Sequence, residues 1–194
     1  MSQQPIETQR LVIRPFILDD LPLIHRILDQ TFGNGTRIND PAALRERRSW
    51  LQWSSLNQVW LPEQHQPPYG DRAVVLKTTG VVIGSAGFVP LLDVYEQIPE
   101  LYPPTAASGY KTPEVGLFWV IDPSRQRQGY ATEAAQALIN FAFKQMRLKR
   151  ILATTAYENV ASQGVMRKLG MTIARNPRPE PLWLQVVGVL ENTG

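Results

Sequence analysis

Trp119-Val-Ile-Asp-Pro-Ser-Arg-Gln-Arg-Gln-Gly-Tyr-Ala-Thr-Glu-Ala-Ala135 is the stretch that decides how this chain folds. The apolar run from Glu114 to Ile121 reads as a strand, Asp122-Pro123 turns the chain, and a helix begins near Gly129. The first N–H groups of a helix have no intrahelical acceptor, and the helix dipole leaves partial positive charge beside them. A pyrophosphate docks naturally onto such a start. Gly129 lets the backbone approach a ligand with no side chain between, Ala131 is nearly as small, and Arg125 and Arg127 add charge. On this physics alone, phosphate binding and an ordinary helix start are equally good readings, since arginines near a turn are usually solvated. No Gly-x-Gly-x-x-Gly and no Gly-x4-Gly-Lys-Ser/Thr occurs in the chain. Gly84-Ser-Ala-Gly87 lies within an expected strand, where close packing or a bulge is the better reading.

Outward from this segment the chain alternates strands and helices. Arg10–Phe16 alternates apolar and basic residues as an opening strand. Asp19 or Asp20 can cap a first helix with Pro22 in its first turn, and Leu21, Ile24, Ile27 and Leu28 recur at helical spacing. Asp40-Pro41 starts a second helix that should run to about Asn57. It carries Trp50 and Trp53, with Trp60 beyond, read together as aromatic core. Ala73–Lys77 and Val81–Val89 flank Thr-Thr-Gly as a hairpin. The segment 91–112, with four prolines or glycines and three tyrosines, is a long connection of the kind that is more often functional than accidental. After the deciding stretch come a helix over 129–146, a strand over 150–155, a helix over 159–169, a short strand near 171–174 and a last strand over 182–190. Ala131, Ala135, Leu138, Ala142 and Met146 form the expected core face of the third helix, and Glu133 sits in its first turn as a structural carboxylate facing away from any ligand.

The totals bound the function. The chain has 194 residues, 43% hydrophobic and 19% charged, an ordinary balance for one α/β domain. With no cysteine, disulfides, thiolate metal sites, Fe–S clusters and a cysteine-borne acyl intermediate are excluded. His25 and His65 are the only imidazoles, far apart in sequence, so no protein metal site is expected. His25 reads as a partly buried helix residue and His65 as an exposed loop residue. The polar opening Met1–Ile6 does not read as a signal peptide and no apolar run reaches membrane length, so the expected location is cytoplasmic, without membrane association. A formal net charge of +3 suits a phosphorylated ligand but is too small to argue for nucleic acid.

Gln126-Arg-Gln-Gly129-Tyr-Ala131 resembles the Gln/Arg-x-x-Gly-x-Gly/Ala pattern of the GNAT superfamily of N-acetyltransferases, at the place where that family has it. Thr132-Glu-Ala, the opening Glu7-Thr-Gln-Arg-Leu-Val-Ile-Arg-Pro-Phe, and Glu158-Asn-Val-Ala-Ser162 through Lys168-Leu-Gly-Met171 are similar to the branch of bacterial ribosomal-protein N-terminal (alanine) acetyltransferases. The resemblance implies an α/β (α+β) GNAT fold over residues 1–194 as a single domain. It implies a central mixed, mostly antiparallel sheet of about six to seven strands flanked by about four helices. Arg127 stands where many members have glycine, and Met171 where many have phenylalanine.

The resemblance further implies acetyl-CoA as acyl donor, with no metal. The loop of Gln126, Arg127, Gln128, Gly129, Tyr130, Ala131 and Thr132 would hold its pyrophosphate, Asn159 its pantetheine arm, and Val120 and Ile121 would flank the thioester. Asn159 is also well placed as a helix N-cap. Glu114 matches a glutamate sometimes proposed as base, often through water; a strand-end carboxylate in solvent or paired with an arginine is the alternative. Where many relatives carry a tyrosine acid this chain has Met166, which cannot donate, and Ser162 is the substitute. The implied acceptor is a primary amine, a protein N-terminus or a small molecule, selected by the segment 91–112. A non-catalytic acyl-CoA-binding or sensing domain is the competing reading. Family members often dimerise, so a homodimer stays open.

Overall fold

The computed structural model describes residues 4–101 and 109–194 and places strands where β-branched residues cluster and helices where apolar residues recur every three or four positions. Its strands are β1 (Ile6–Glu7), β2 (Leu11–Arg14), β3 (Gly70–Leu76), β4 (Val82–Asp93), β5 (Thr112–Ile121), β6 (Arg150–Thr155), β7 (Thr172–Arg175) and β8 (Val186–Glu191). Its helices are α1 (Leu21–Phe32), α2 (Pro41–Glu63), α3 (Tyr130–Lys144) and α4 (Val160–Lys168). Among the described residues the eight strands form one open sheet in the order β1-β2-β3-β4-β5-β6-β8-β7. It is mostly antiparallel, with β5 and β6 parallel at Gly116 and Leu152. The strand beyond the expected number is β1, whose Ile6 and Glu7 pair with Ile13 and Val12. Two residues leave no periodicity to read.

The chain divides into two compact units, Met1–Val89 with Phe118–Leu138, and Pro90–Leu117 with Ile139–Gly194. In the first, Phe16, Ile24, Ile27, Leu28, Leu51, Ala73, Val75, Val82 and Val120 make one buried cluster. In the second, Tyr95, Ile98, Leu152, Ala174, Leu184 and Val187 make another. Burial of such side chains contributes roughly 1.5–3 kcal/mol each and is what holds the elements in place.

Several boundaries differ from the sequence reading, each for a physical reason. Asp20 does not cap α1 with its side chain. Its carboxylate instead takes both guanidinium nitrogens of Arg14 at 2.7 and 2.9 Å and the Ile17 N–H at 2.9 Å. Asp40 caps α2 as expected, accepting from Ala42 N–H at 2.8 Å. That helix continues past Asn57 to Glu63 because buried Gln58 donates to the carbonyls of Pro68 and Gly70, tying its last turns to the start of β3. The inward face of α2 therefore carries Leu51, Ser54 and Gln58. Trp53 and Trp60 fall on its other side, 47% and 60% exposed, and are not core; Trp50 is half-buried against Phe16. In α3, Ala135, Leu138 and Ala142 are buried as expected, Ala131 is half-buried, and Ala134 and Ile139 complete the face; the helix ends at Lys144, so Met146, half-buried, lies just beyond it.

The last strand also begins later than its sequence suggests. Leu182–Leu184 is a short 3-10 turn, with Trp183 exposed and its indole N–H donating to Asp93 at 3.2 Å. In the long connection, β4 extends to Asp93 and Tyr95–Gln97 forms a 3-10 turn with Tyr95 fully buried. Residues 102–108 of the expected acceptor-selecting segment lie outside the described residues.

Candidate active site

Glycines bring β4 against the end of β5. A Cβ on Gly84 would stand 2.1 Å from the Val120 carbonyl oxygen, so only glycine permits this approach, and Asp122 N–H donates to Ile83 O at 2.8 Å just beyond it. The Gly84–Gly87 segment is thus a close-packing device, as its place in a strand implied. Ile121 carbonyl accepts from the Gln126 side-chain amide at 3.1 Å, so Gln126 folds the loop back onto the strand that precedes it.

Asp122 fixes the turn. Its buried carboxylate accepts from Ser124 N–H and hydroxyl at 2.9 and 2.7 Å and from Arg26 of α1 at 2.9 Å. Burial pushes this carboxyl up, but the Ser124 bonds and the Arg26 and Arg125 charges outweigh it and hold it below the usual carboxylate range.

The loop that follows is exposed from Pro123 to Gly129 and enters the left-handed backbone region twice, at Arg127 (φ 61°) and, one residue beyond its neighbour Gln128, at Gly129 (φ 83°). The position where relatives carry glycine therefore has a backbone that favours glycine. A Cβ added at Gly129 would meet only the Arg10 guanidinium, at 3.4 Å.

Arg10 shapes this loop, and the sequence reading gave it no role. Its guanidinium lies over the Tyr130 ring at 4.4 Å, donates to Gln128 carbonyl at 2.9 Å and to Glu133 Oε2 at 2.6 Å. In a planar trans peptide the C=O and the next N–H point oppositely. With the Gln128 carbonyl turned to Arg10, the Gly129 N–H points away from that guanidinium. Glu133 is fully engaged: it also accepts from Thr8 hydroxyl at 2.6 Å and Arg10 N–H at 2.9 Å. Burial raises its carboxyl, and these bonds more than reverse that, keeping it ionised but neutralised by Arg10. The expected structural role of Glu133 stands. The N–H groups of Tyr130, Ala131 and Thr132 open α3 and have no intrahelical acceptors, so this first turn presents donors and positive dipole.

In the second unit, Glu114 of β5 pairs with Arg150 at the start of β6. Arg150 Nε donates to Oε2 at 3.0 Å and a second guanidinium nitrogen contacts Oε1. The Glu114 side chain is 9% exposed, so its carboxylate is paired with an arginine rather than facing solvent. Asn159 caps α4, its Oδ1 accepting from Ser162 N–H at 3.1 Å. The exposed side chain keeps Nδ2 as a donor, so capping and ligand binding use different atoms. Ser162 is half-buried one turn into α4. Met166 is fully buried beside Gly188 and is a core residue. A polar network the sequence did not announce holds the β6–α4 turn: Tyr157 N–H donates to Gln185 Oε1 at 2.7 Å and Gln163 donates to Tyr157 O at 2.8 Å.

No helix among the described residues is long and apolar enough to cross a membrane, and no group of three potential metal ligands occurs among them. The Acetyltransferase (GNAT) domain pattern matches residues 10–172. The uncharacterized N-acetyltransferase YnaD of Bacillus subtilis (strain 168) is 51% identical over 63 residues, 32% of this chain and 36% of that protein. The chain thus spans little more than a third of the length of that curated relative. Ribosomal-protein-S5-alanine acetyltransferase from Vibrio fischeri superposes with a TM-score of 0.63 at 17% identity, covering 98% of this chain and 97% of that one. The microcin C7 self immunity acetyltransferase MccE, in complex with acetyl-CoA and AMP, superposes with a TM-score of 0.64 at 12% identity, covering 97% and 96%. At these identities the structural likeness speaks for the fold. The domain match over most of the sequence, together with the loop at the start of α3, assigns the chain to the GNAT acetyltransferase family.

Proposed function

We propose that the protein transfers an acetyl group from acetyl-CoA to a primary amine by direct attack within a ternary complex. The observation that carries this reading is the loop Gln126–Thr132. Its backbone is held by Arg10, Gln126 and Asp122, the N–H groups of the first turn of α3 have no intrahelical acceptors, Gly129 is exposed, and Arg125 and Arg127 are exposed beside it. That donor set suits a pyrophosphate. A structural neighbour, MccE, binds acetyl-CoA, which supports the same donor here. The acceptor class is a protein N-terminus or a small-molecule amine.

The amine nitrogen attacks the thioester carbonyl, the C–N bond forms, the C–S bond breaks, and the amine proton passes to a base. We assign the base to Glu114, whose carboxylate Arg150 orients, and the proton donor to the departing thiolate to Ser162. Val120 and Ile121 flank the thioester and Asn159 Nδ2 donates to the pantetheine arm. With no cysteine in the chain, the acyl group has no thiol on the protein to visit.

Calorimetric titration with acetyl-CoA tests the site. Saturable binding by the wild type, abolished in a folded Gly129→Glu protein, supports it; binding that survives Gly129→Glu refutes the loop assignment. Release of free CoA thiol with an amine panel separates an enzyme from a sensing domain, which binds without turnover. Glu114→Gln should lower turnover most at neutral pH, where the acceptor amine is protonated. Ser162→Ala should lower turnover while leaving acetyl-CoA affinity unchanged.

A further inference from the structure

Gly129 joins the loop to α3 with a positive φ of 83°. Its carbonyl is fixed by the helix, accepting from Glu133 N–H at 3.0 Å. The peptide plane before it, between Gln128 and Gly129, precedes the helix and is not held by it. Glycine takes positive and negative φ about equally well, so nothing in residue 129 itself keeps this plane from turning over. The two orientations offer an anion opposite groups. As it stands, the plane directs the Gly129 N–H away from the Arg10 guanidinium. Turned over, it would direct the Gln128 carbonyl oxygen there instead, an acceptor where a phosphate needs a donor.

Arg10 holds the first orientation. Its Nη1 donates to the Gln128 carbonyl at 2.9 Å, while Nε and Nη2 contact Glu133 Oε2 at 2.6 Å. One planar fork thus grips the residue before Gly129 and the residue four beyond it, with the Tyr130 ring beneath at 4.4 Å. The fork is aimed from the N-terminal segment. Glu133 Oε1 accepts from the Thr8 hydroxyl at 2.6 Å and from Arg10 N–H at 2.9 Å. The Thr8 hydroxyl accepts in turn from Leu11 N–H at 2.9 Å, and the Arg10 carbonyl accepts from Lys77 N–H at 3.0 Å. The turn over residues 8–11 is therefore pinned to α3 on one side and to the end of β3 on the other.

We propose that Arg10 is a positioning residue for acetyl-CoA: its bond to Gln128 locks the Gln128–Gly129 peptide in the orientation whose N–H serves the pyrophosphate. The inference rests on the reading of Gln126–Thr132 as the pyrophosphate loop and adds to it a residue 118 positions from Gln128. Without that bond both orientations are populated and only one binds, so the apparent affinity falls by the competent fraction. Arg10 acts through the backbone rather than by its charge, which Glu133 already neutralises.

Calorimetric titration of the full chain with acetyl-CoA, beside thermal melts that confirm folding, tests this. Arg10→Met keeps an apolar stem against Tyr130 but has no donor, and should weaken binding about tenfold. Arg10→Lys should weaken it as well, since an ammonium settles on the Glu133 carboxylate and leaves the Gln128 carbonyl unheld. Glu133→Gln separates positioning from charge by the sign of its effect. Removing a carboxylate near a bound pyrophosphate tightens binding if Coulomb interaction alone matters, whereas removing the partner that aims Arg10 weakens it. Full affinity in Arg10→Met or Arg10→Lys, or unchanged or tighter binding by Glu133→Gln, overturns the proposal. Glu133→Gln retains an oxygen for the Thr8 and Arg10 donors, so it decides the matter if the Arg10 variants fail to fold. A wild type that does not bind acetyl-CoA refutes the loop reading itself, and the proposal falls with it. A wild type that binds no better than its variants refutes the proposal alone.

Discussion

Arg127 concentrates two opposing demands in one residue. Its φ of 61° is a conformation that an L side chain disfavours, and its exposed guanidinium sits in the loop proposed to hold a pyrophosphate. The left-handed backbone costs about 1–2 kcal/mol, and glycine returns roughly 0.5–1 of that in unfolded-state entropy. Arg127→Gly should therefore raise stability by up to about 1 kcal/mol, read as a higher Tm. An exposed cation contributes about 0.2–1 kcal/mol to a charge pair, so acetyl-CoA affinity should fall no more than about fivefold. A variant that loses stability would show that the Arg127 side chain holds the loop. Arg10 marks the limit of sequence reading at this scale. Its bonds to Gln128 and Glu133 span more than a hundred residues, and nothing local to Arg10 points to them. The special backbone at Gly129, by contrast, has a local signal: a lone glycine between a strand and a helix, and its φ is 83°.

Elements were legible where a cap or a periodicity is local. Asp40-Pro41 and Asn159 mark their helices within one residue, and the strand over 150–155 is found with the bounds its sequence implied. The end of α2 and the start of β8 were not, because each depends on a side chain reaching a distant carbonyl: Gln58 to Pro68 and Gly70, Gln185 to Pro179. The cap of α4 gives a prediction with two separable parts. Asn159→Ala removes the Oδ1 that accepts from Ser162 N–H and should cost about 1 kcal/mol of stability. Asn159→Asp keeps a capping oxygen and loses the Nδ2 donor, so it should preserve the Tm while weakening acetyl-CoA binding. Should Asn159→Asp bind acetyl-CoA as tightly as the wild type, Asn159 would be a cap and nothing more.

The stability of the whole molecule should carry the signature of one carboxyl. Asp71 lies on β3 facing into the packed interior, with the Ser85 hydroxyl of β4 donating to it at 2.6 Å. Burial pushes it up to about 6, against the Ser85 bond and the Arg47 charge, which act the other way. The folded protein therefore holds this proton at pH values where the unfolded chain, with an aspartate near its ordinary value of about 4, has released it. Between about pH 4 and 6 the folded state binds more protons, so stability falls as pH rises through this window and stays at the lower level above it. Glu133 and Asp122, held below the usual range, act oppositely: their contribution is present above about pH 4 and lost on acidification. Asp71→Asn keeps an oxygen for Ser85 to donate to and removes the titration. Its Tm should match the wild type near pH 4, and its advantage should grow to pH 6 and level off above, at about 1–3 kcal/mol. Thermal melts of both proteins across pH 4–8 decide it. A constant offset at every pH would mean that Asp71 does not titrate in this window, and that the pair it makes with Ser85 is held in its ionised form.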